Sequence, residues 1–167
     1  MRRLQQTIEQ IGWTRNVPRF GTNDIVARAF DAMSREAHDC VLIVDGVDHI
    51  QPAPLAGIFT SRDFLNRVAA ARHDPAKLRL GDVMTAAPRT LRPRDGVAFA
   101  INWMAIEGFR NVPIVDDLGR VLGVLTVWDV MRHLGDVFDE IEATPRSAPA
   151  QSDISEVINM VDLGGGG

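Results

Sequence analysis

Gly123-Val124-Leu125-Thr126-Val127-Trp128-Asp129 has an echo in the first half of the chain, Gly57-Ile58-Phe59-Thr60-Ser61-Arg62-Asp63. Each stretch is an apolar run of strand length that turns into a helical pattern, with Thr at the junction and Asp three positions on. A hydroxyl and a carboxylate therefore stand at a helix N-terminus twice. Thr-x-x-Asp fits a capping box, in which hydroxyl and acid satisfy orphan backbone donors, and a single copy would be read as no more than that. Two copies in register point to a second use.

The duplication extends beyond the motif. Asp24, Val26, Ala27, Ala29, Met33 and Glu36 return 71 positions later as Asp95, Val97, Ala98, Ala100, Met104 and Glu107. Val41, Ile43, Val44 and Asp45 return at the same offset as Val112, Ile114, Val115 and Asp116. From Gly57, Thr60 and Asp63 to Gly123, Thr126 and Asp129 the offset drops to 66, which locates five extra residues in the first copy. They fall between Gly46 and Pro54, a hairpin loop that in the second copy is only Asp117-Leu118-Gly119-Arg120. An exposed turn is where a duplicated fold absorbs an insertion.

The fold class read from this pattern is α+β, two β-α-β-β-α repeats packed together. Residues 1–14 form an N-terminal helix with Leu4, Ile8 and Ile11 on one face, 15–72 the first repeat, 73–138 the second, and 139–167 a linker and tail. In the first repeat an extended segment around Phe20 precedes a helix capped by Asp24, with Val26, Ala29, Phe30 and Met33 at helical spacing. The strands 41–44 and 55–59 follow, then a helix from about Ser61 to Ala71. The second repeat has an extended segment after Pro88, a helix carrying Val97, Ala100, Ile101 and Met104, strands 112–115 and 121–125, and a helix from Val127 to about Leu134. A repeat of some 60 residues is marginal alone, so the two are expected to bury their sheets against each other. In the tail, 144–152 read as a polar linker and Ile154, Val157, Ile158 and Val161 as a short docking helix.

Composition narrows the function. A net charge of −4 offers no broad basic field, so nucleic acid is not an expected partner. No signal-peptide core and no window of about 18 apolar residues is present, which favours a cytoplasmic protein without a membrane contact. Cys40, the single cysteine, reads as a buried filler. His38, His49, His73 and His133 have no zinc-ligand spacing, and Asp116-Asp117 ahead of Leu118-Gly119 reads as a turn. No nucleophile has a recognisable partner, there is no Gly-rich phosphate loop, and Trp128 and Met131 read as packing surface. The chain is expected not to be an enzyme and to require no cofactor.

The unit ending Gly-aliphatic-aliphatic/aromatic-Thr-x-x-Asp is preceded by Asp82-Val83-Met84-Thr85-Ala86-Ala87-Pro88 and by Arg110-Asn111-Val112-Pro113-Ile114-Val115-Asp116. It resembles the cystathionine-β-synthase (CBS) domain, and two in tandem resemble a Bateman module, over roughly residues 10–137. The resemblance implies repeats about a pseudo-twofold axis, with clefts that bind an adenosine-containing ligand such as AMP, ADP, ATP, NAD or S-adenosylmethionine. It implies that Thr60 and Asp63 line one cleft and Thr126 and Asp129 the other, engaging ribose and phosphate. A helix N-terminus suits phosphate and a carboxylate suits a vicinal diol. The adenine wall would come from Thr90, Leu91, Asn111 and Val112 in the second copy and from Arg19, Phe20, Cys40 and Val41 in the first.

Arg110 and Pro113 of the second copy stand where the first has Asp39 and Leu42, while Arg62 lies inside the first terminal motif. On this reading the cleft of Thr126 and Asp129 fills first. The expected role is a regulatory sensor that reports to an unknown downstream protein. The alternative is a structural dimerisation or interaction module with vestigial clefts. A homodimer is expected from the apolar positions Phe64, Leu65, Val68, Val130, Met131 and Leu134 and from the resemblance.

Overall fold

The computed structural model describes residues 6–46 and 53–143. Leu4, most of the hairpin insertion, the polar linker and the expected helix of 154–161 lie outside them. The elements are α1 (Ile8–Ile11), β1 (Arg19–Gly21), α2 (Val26–Glu36), β2 (Cys40–Val44) and β3 (Leu55–Thr60). Helix α3 follows as one turn, Ser61–Asp63, continued by a π-helix, Phe64–Ala69. Then come α4 (Leu80–Val83), β4 (Thr85–Ala86), α5 (Val97–Ile106), β5 (Asn111–Val115), β6 (Val121–Thr126) and α6 (Val127–Ala143). The chain divides into two compact units after Gly135, so α6 begins in the first and is the described part of the second. No helix of the described residues is long and apolar enough to cross a membrane.

One sheet runs β1-β2-β3-β4, with β1 parallel to β2 and the other pairs antiparallel. The second sheet is β5-β6, flanked by two single bridges, Leu91 to Ile114 and Thr14 to Val124. These bridges are images of Phe20 opposite Ile43 and Thr85 opposite Ile58, at the same offsets of 71 and 66 that relate the two sequences. The duplication is thus preserved in hydrogen-bond register.

The two halves exchange segments. Ile8, fully buried, packs with Val97, Ala100, Val112, Ile114 and Leu125 of the second repeat. The backbone holds it there: Ile8 N–H donates to Asp95 O and Thr14 N–H to Val124 O, each at 2.9 Å. Reciprocally, Leu80 and Val83 pack with Val26, Met33, Val41 and Phe59 of the first repeat, and β4 extends the first sheet. Two close crossings lock the exchange. A Cβ on Gly57 would lie 2.5 Å from Met84 Sδ, and one on Gly123 would lie 2.3 Å from Thr14 O. A third cluster, with Cys40, Leu42, Val44 and Ile58 from one sheet and Val121 and Val124 from the other, joins the halves. Ile8→Val is therefore expected to cost about 0.5–1.5 kcal/mol, the range for a deleted core methyl. Urea unfolding checks this, and a shift near zero would mean α1 is not part of the core.

Three expectations are corrected. Ile25, not Asp24, is the cap of α2. The Asp24 carboxylate instead accepts from Gly21 N–H at 2.7 Å, as Asp95 accepts from Arg92 N–H at 2.7 Å, so both acids close the turn before the helix. Phe30 is 38% exposed and stacks on Phe64 at 4.1 Å rather than entering the core. Val68 and Val130 are buried beneath their own helices, and Leu65, Trp128 and Met131 are the large exposed apolar groups of α3 and α6 among the side chains described.

Candidate functional site

Strand β3 delivers Thr60 to the start of α3, and β6 delivers Thr126 to the start of α6. Thr60 N–H and its hydroxyl both donate to Asp63 Oδ2, at 3.0 and 2.8 Å, and Asp63 N–H donates back to Thr60 Oγ1 at 3.2 Å. The second copy repeats the set at 2.9, 2.7 and 3.2 Å between Thr126 and Asp129. Both pairs are therefore reciprocal caps. The capping uses one carboxylate oxygen, Oδ2. Oδ1 has only long contacts, to Thr85 Oγ1 and Arg67 at 3.4 Å in the first copy and to Arg132 at 3.5 Å in the second.

Each pair opens on a cleft to which both repeats contribute. The first, about 270 Å³, sets Thr60, Arg62 and Asp63 opposite Pro88, Arg89, Phe109, Arg110, Asn111 and Pro113. The second, about 450 Å³, sets Thr126, Trp128 and Asp129 opposite Val17, His38, Asp39 and Cys40, with Thr14 at its edge. Such volumes sit near the lower end of the ~300–1,000 Å³ typical of small-molecule clefts. Arg110, Asn111 and Asp39 border both.

This placement corrects the wall assignment. Pro113 faces Thr60 and Asp63 and Cys40 faces Thr126 and Asp129, each across from the other repeat's motif, while Arg110 and Asn111 line both clefts. Val41 and Val112 belong to the two hydrophobic cores and not to the clefts, because alternate strand residues point to opposite faces. Leu91 and Phe20 also join those cores, and Thr90 and Arg19 line neither cleft. Thr85, Pro88, Arg89 and Phe109 in the first cleft, and Thr14, Val17, His38, Trp128 and Arg132 in the second, were not singled out as binding residues. The offset of 71 pairs Thr14 with Thr85 and Val17 with Pro88, which was the available signal.

The two clefts differ in free cations. Among the described residues Arg62 and Arg110 have no carboxylate in ion-pair range. Arg89 is occupied by Glu107 and lies over Trp103, 5.3 Å from the ring centre. In the second cleft Arg132 is paired with Asp129, which leaves only the shared Arg110. Burial, then the neighbouring Asp39 carboxylate, pushes the Cys40 thiol up to about 12, so it lines the second cleft as a neutral group. The Asp116 carboxylate accepts from the N–H groups of Leu118 and Arg120 and from Arg120 Nε. The Arg120 backbone bond, ahead of its side chain, holds Asp116 below the usual carboxylate range, as a turn residue would be. No group of three His, Cys, Asp or Glu side chains among the described residues is arranged for a metal ion.

Residues 80–136 match the CBS domain family. The meiotically up-regulated gene 70 protein of Schizosaccharomyces pombe is 31% identical over 136 residues, which is 81% of this chain and 17% of that protein. The chain spans about half or less of the length of the curated relatives it matches. A protein with CBS domains from Burkholderia ambifaria has the same fold, with a TM-score of 0.68 at 25% identity over 77% of this chain and 93% of its own. A CBS domain protein from Pyrobaculum aerophilum, complexed with AMP, gives a TM-score of 0.66 at 18% identity, over 80% of this chain and 99% of its own.

Proposed function

Because the chain is a CBS-domain protein, matched over its second repeat and built on the same topology in its first, we propose that it is a regulatory module that binds an adenosine-containing ligand in the clefts between its repeats. The observation that carries this reading is the repeated Thr-x-x-Asp helix start, in which Oδ2 is used for capping and Oδ1 keeps acceptor capacity toward a cleft. A ribose diol donates to such an oxygen, while at the helix starts the N–H groups of Ser61 and Val127 are taken by Asp39 O and Arg110 O and those of Asp63 and Asp129 by the Thr hydroxyls. The AMP bound by the Pyrobaculum aerophilum protein supports the ligand class. A role without catalysis fits Cys40, whose thiol stays protonated at neutral pH and is a poor nucleophile. Cytoplasmic signalling to a downstream protein completes the reading. Titration calorimetry with AMP, ATP, NAD and S-adenosylmethionine tests it, and binding by none of them would favour a structural module.

The same reading includes a homodimer. Leu65 and Met131 are 61% and 56% exposed at equivalent places on α3 and α6, Trp128 of α6 is 69% exposed, and exposed apolar surface of this kind marks interfaces. Light scattering is expected to give twice the chain mass at micromolar concentration. Leu65→Lys with Met131→Lys should give a monomer with folding stability changed by no more than ~0.5 kcal/mol, as for ordinary surface substitutions. A wild-type monomer would remove the claim.

A further inference from the structure

Asp63 is tied to the β4 segment, which its Oδ1 also meets directly at Thr85 Oγ1, 3.4 Å away, through a residue that does not line the cleft. The Arg67 guanidinium lies 3.4 Å from Asp63 Oδ1 through Nη2, and through Nη1 it donates to Val83 O at 2.8 Å and Met84 O at 2.7 Å. Those carbonyls stand at the end of α4, where a helix leaves acceptors unsatisfied and a cation with several donors is the natural partner. Directly beyond them come Thr85, Pro88 and Arg89, which line the cleft. One planar fork thus connects the carboxylate on one wall to the backbone that carries the other. Arg67 lies within the π-helical stretch of α3, whereas α6 has no such stretch.

The second cleft lacks this connection. His133 holds the place of Arg67 at the offset of 66. Asp129 is met instead by Arg132, whose side chain is 69% exposed, and among the described residues no side chain of α6 donates to the backbone of Gly12 or Trp13, the counterparts of Val83 and Met84. We infer that Arg67 is a positioning residue specific to the first cleft, coupling Asp63 to the segment Val83–Arg89 so that the two walls are set, and respond to a ligand, as one body. The binding half of this inference rests on the adenosine reading above; the mechanical half does not.

Arg67→Met keeps the apolar stem and removes all three contacts, while Arg67→Lys keeps a charge near Asp63 without the fork. Amide hydrogen exchange is measured on the full chain together with AMP titration, both in an Asp129→Asn background that leaves the first cleft to report. In Arg67→Met the amides of the β4 segment, including Ala87, which donates to Ala56 O, should exchange at least tenfold faster, and those of β5 and β6 should not change. AMP affinity should fall at least tenfold, with Arg67→Lys in between for both readouts. Unchanged exchange at β4, or equal acceleration in both sheets, overturns the inference. If the parent variant binds no AMP, the ligand reading is what fails, and the exchange result alone decides the coupling.

Discussion

Gly123→Ala is expected to destabilise the protein by about 2–6 kcal/mol, combining ~1–3 for overpacking with ~1–3 for a strained backbone. The added Cβ would lie 2.3 Å from the Thr14 carbonyl oxygen and 2.7 Å from the Trp13 ring, and the residue has φ +155°, which side chains rarely adopt. Relief requires the N-terminal segment to move off β6, and that segment carries the fully buried Ile8. Gly57→Ala is a graded control. Its Cβ would meet the flexible Met84 thioether at 2.5 Å and the Thr85 carbonyl oxygen at 2.8 Å, but its φ is not in the left-handed region, so only the overpacking cost of ~1–3 kcal/mol applies. Guanidinium unfolding of both variants checks the order, and Gly123→Ala unfolding at the wild-type midpoint would contradict the crossing.

The second large effect is on ligand binding. Asp63→Asn should weaken the tighter AMP site by about 1.5–3 kcal/mol, the range for a hydrogen bond to a charged group. Asn keeps one carbonyl oxygen to accept from Thr60, so the cap survives, but the oxygen facing the ligand becomes an N–H donor. Asp129→Asn should affect only a weaker site. This reverses the ordering expected from sequence, because Pro113 and Arg62 line the cleft of Thr60 and Asp63 and not the other, and Arg62 is free of carboxylates among the described residues, whereas Arg110 borders both clefts. Asp39, on which the earlier ordering leaned, borders both clefts and discriminates neither. Two equivalent AMP sites, or loss of the tight site in Asp129→Asn alone, would restore the opposite order.

The strands, the helices and the two Thr-x-x-Asp starts were legible because hydrophobic period and repeat offset are local properties of the chain. The position of the five-residue insertion was legible too, since 71 becomes 66 between Asp45 and Gly57. What was not legible depends on partners distant in sequence. Val41 and Cys40 are neighbours in an apolar run, and only the packing of two sheets assigns one to a core and the other to a cleft. Asp24 looked like a cap because Asp at a helix start usually is one, but here its carboxylate is taken by Gly21 N–H. The exchange of walls between repeats has no signature within either repeat, since each copy carries both a motif and a wall.

The exchanged N-terminal segment also has a consequence in time. Trp13 bonds to Leu122 O, 109 residues further along. At about 5–20 residues per second, synthesis of that distance takes roughly 5–20 s. During that interval the ribosome has released Ile8 and Trp13 but not the strand that shelters them, whereas Leu80 and Val83 emerge after the first repeat they complete. The first half can therefore close as it is made, whereas the segment that completes the second is translated ahead of the first repeat and must wait for its strand.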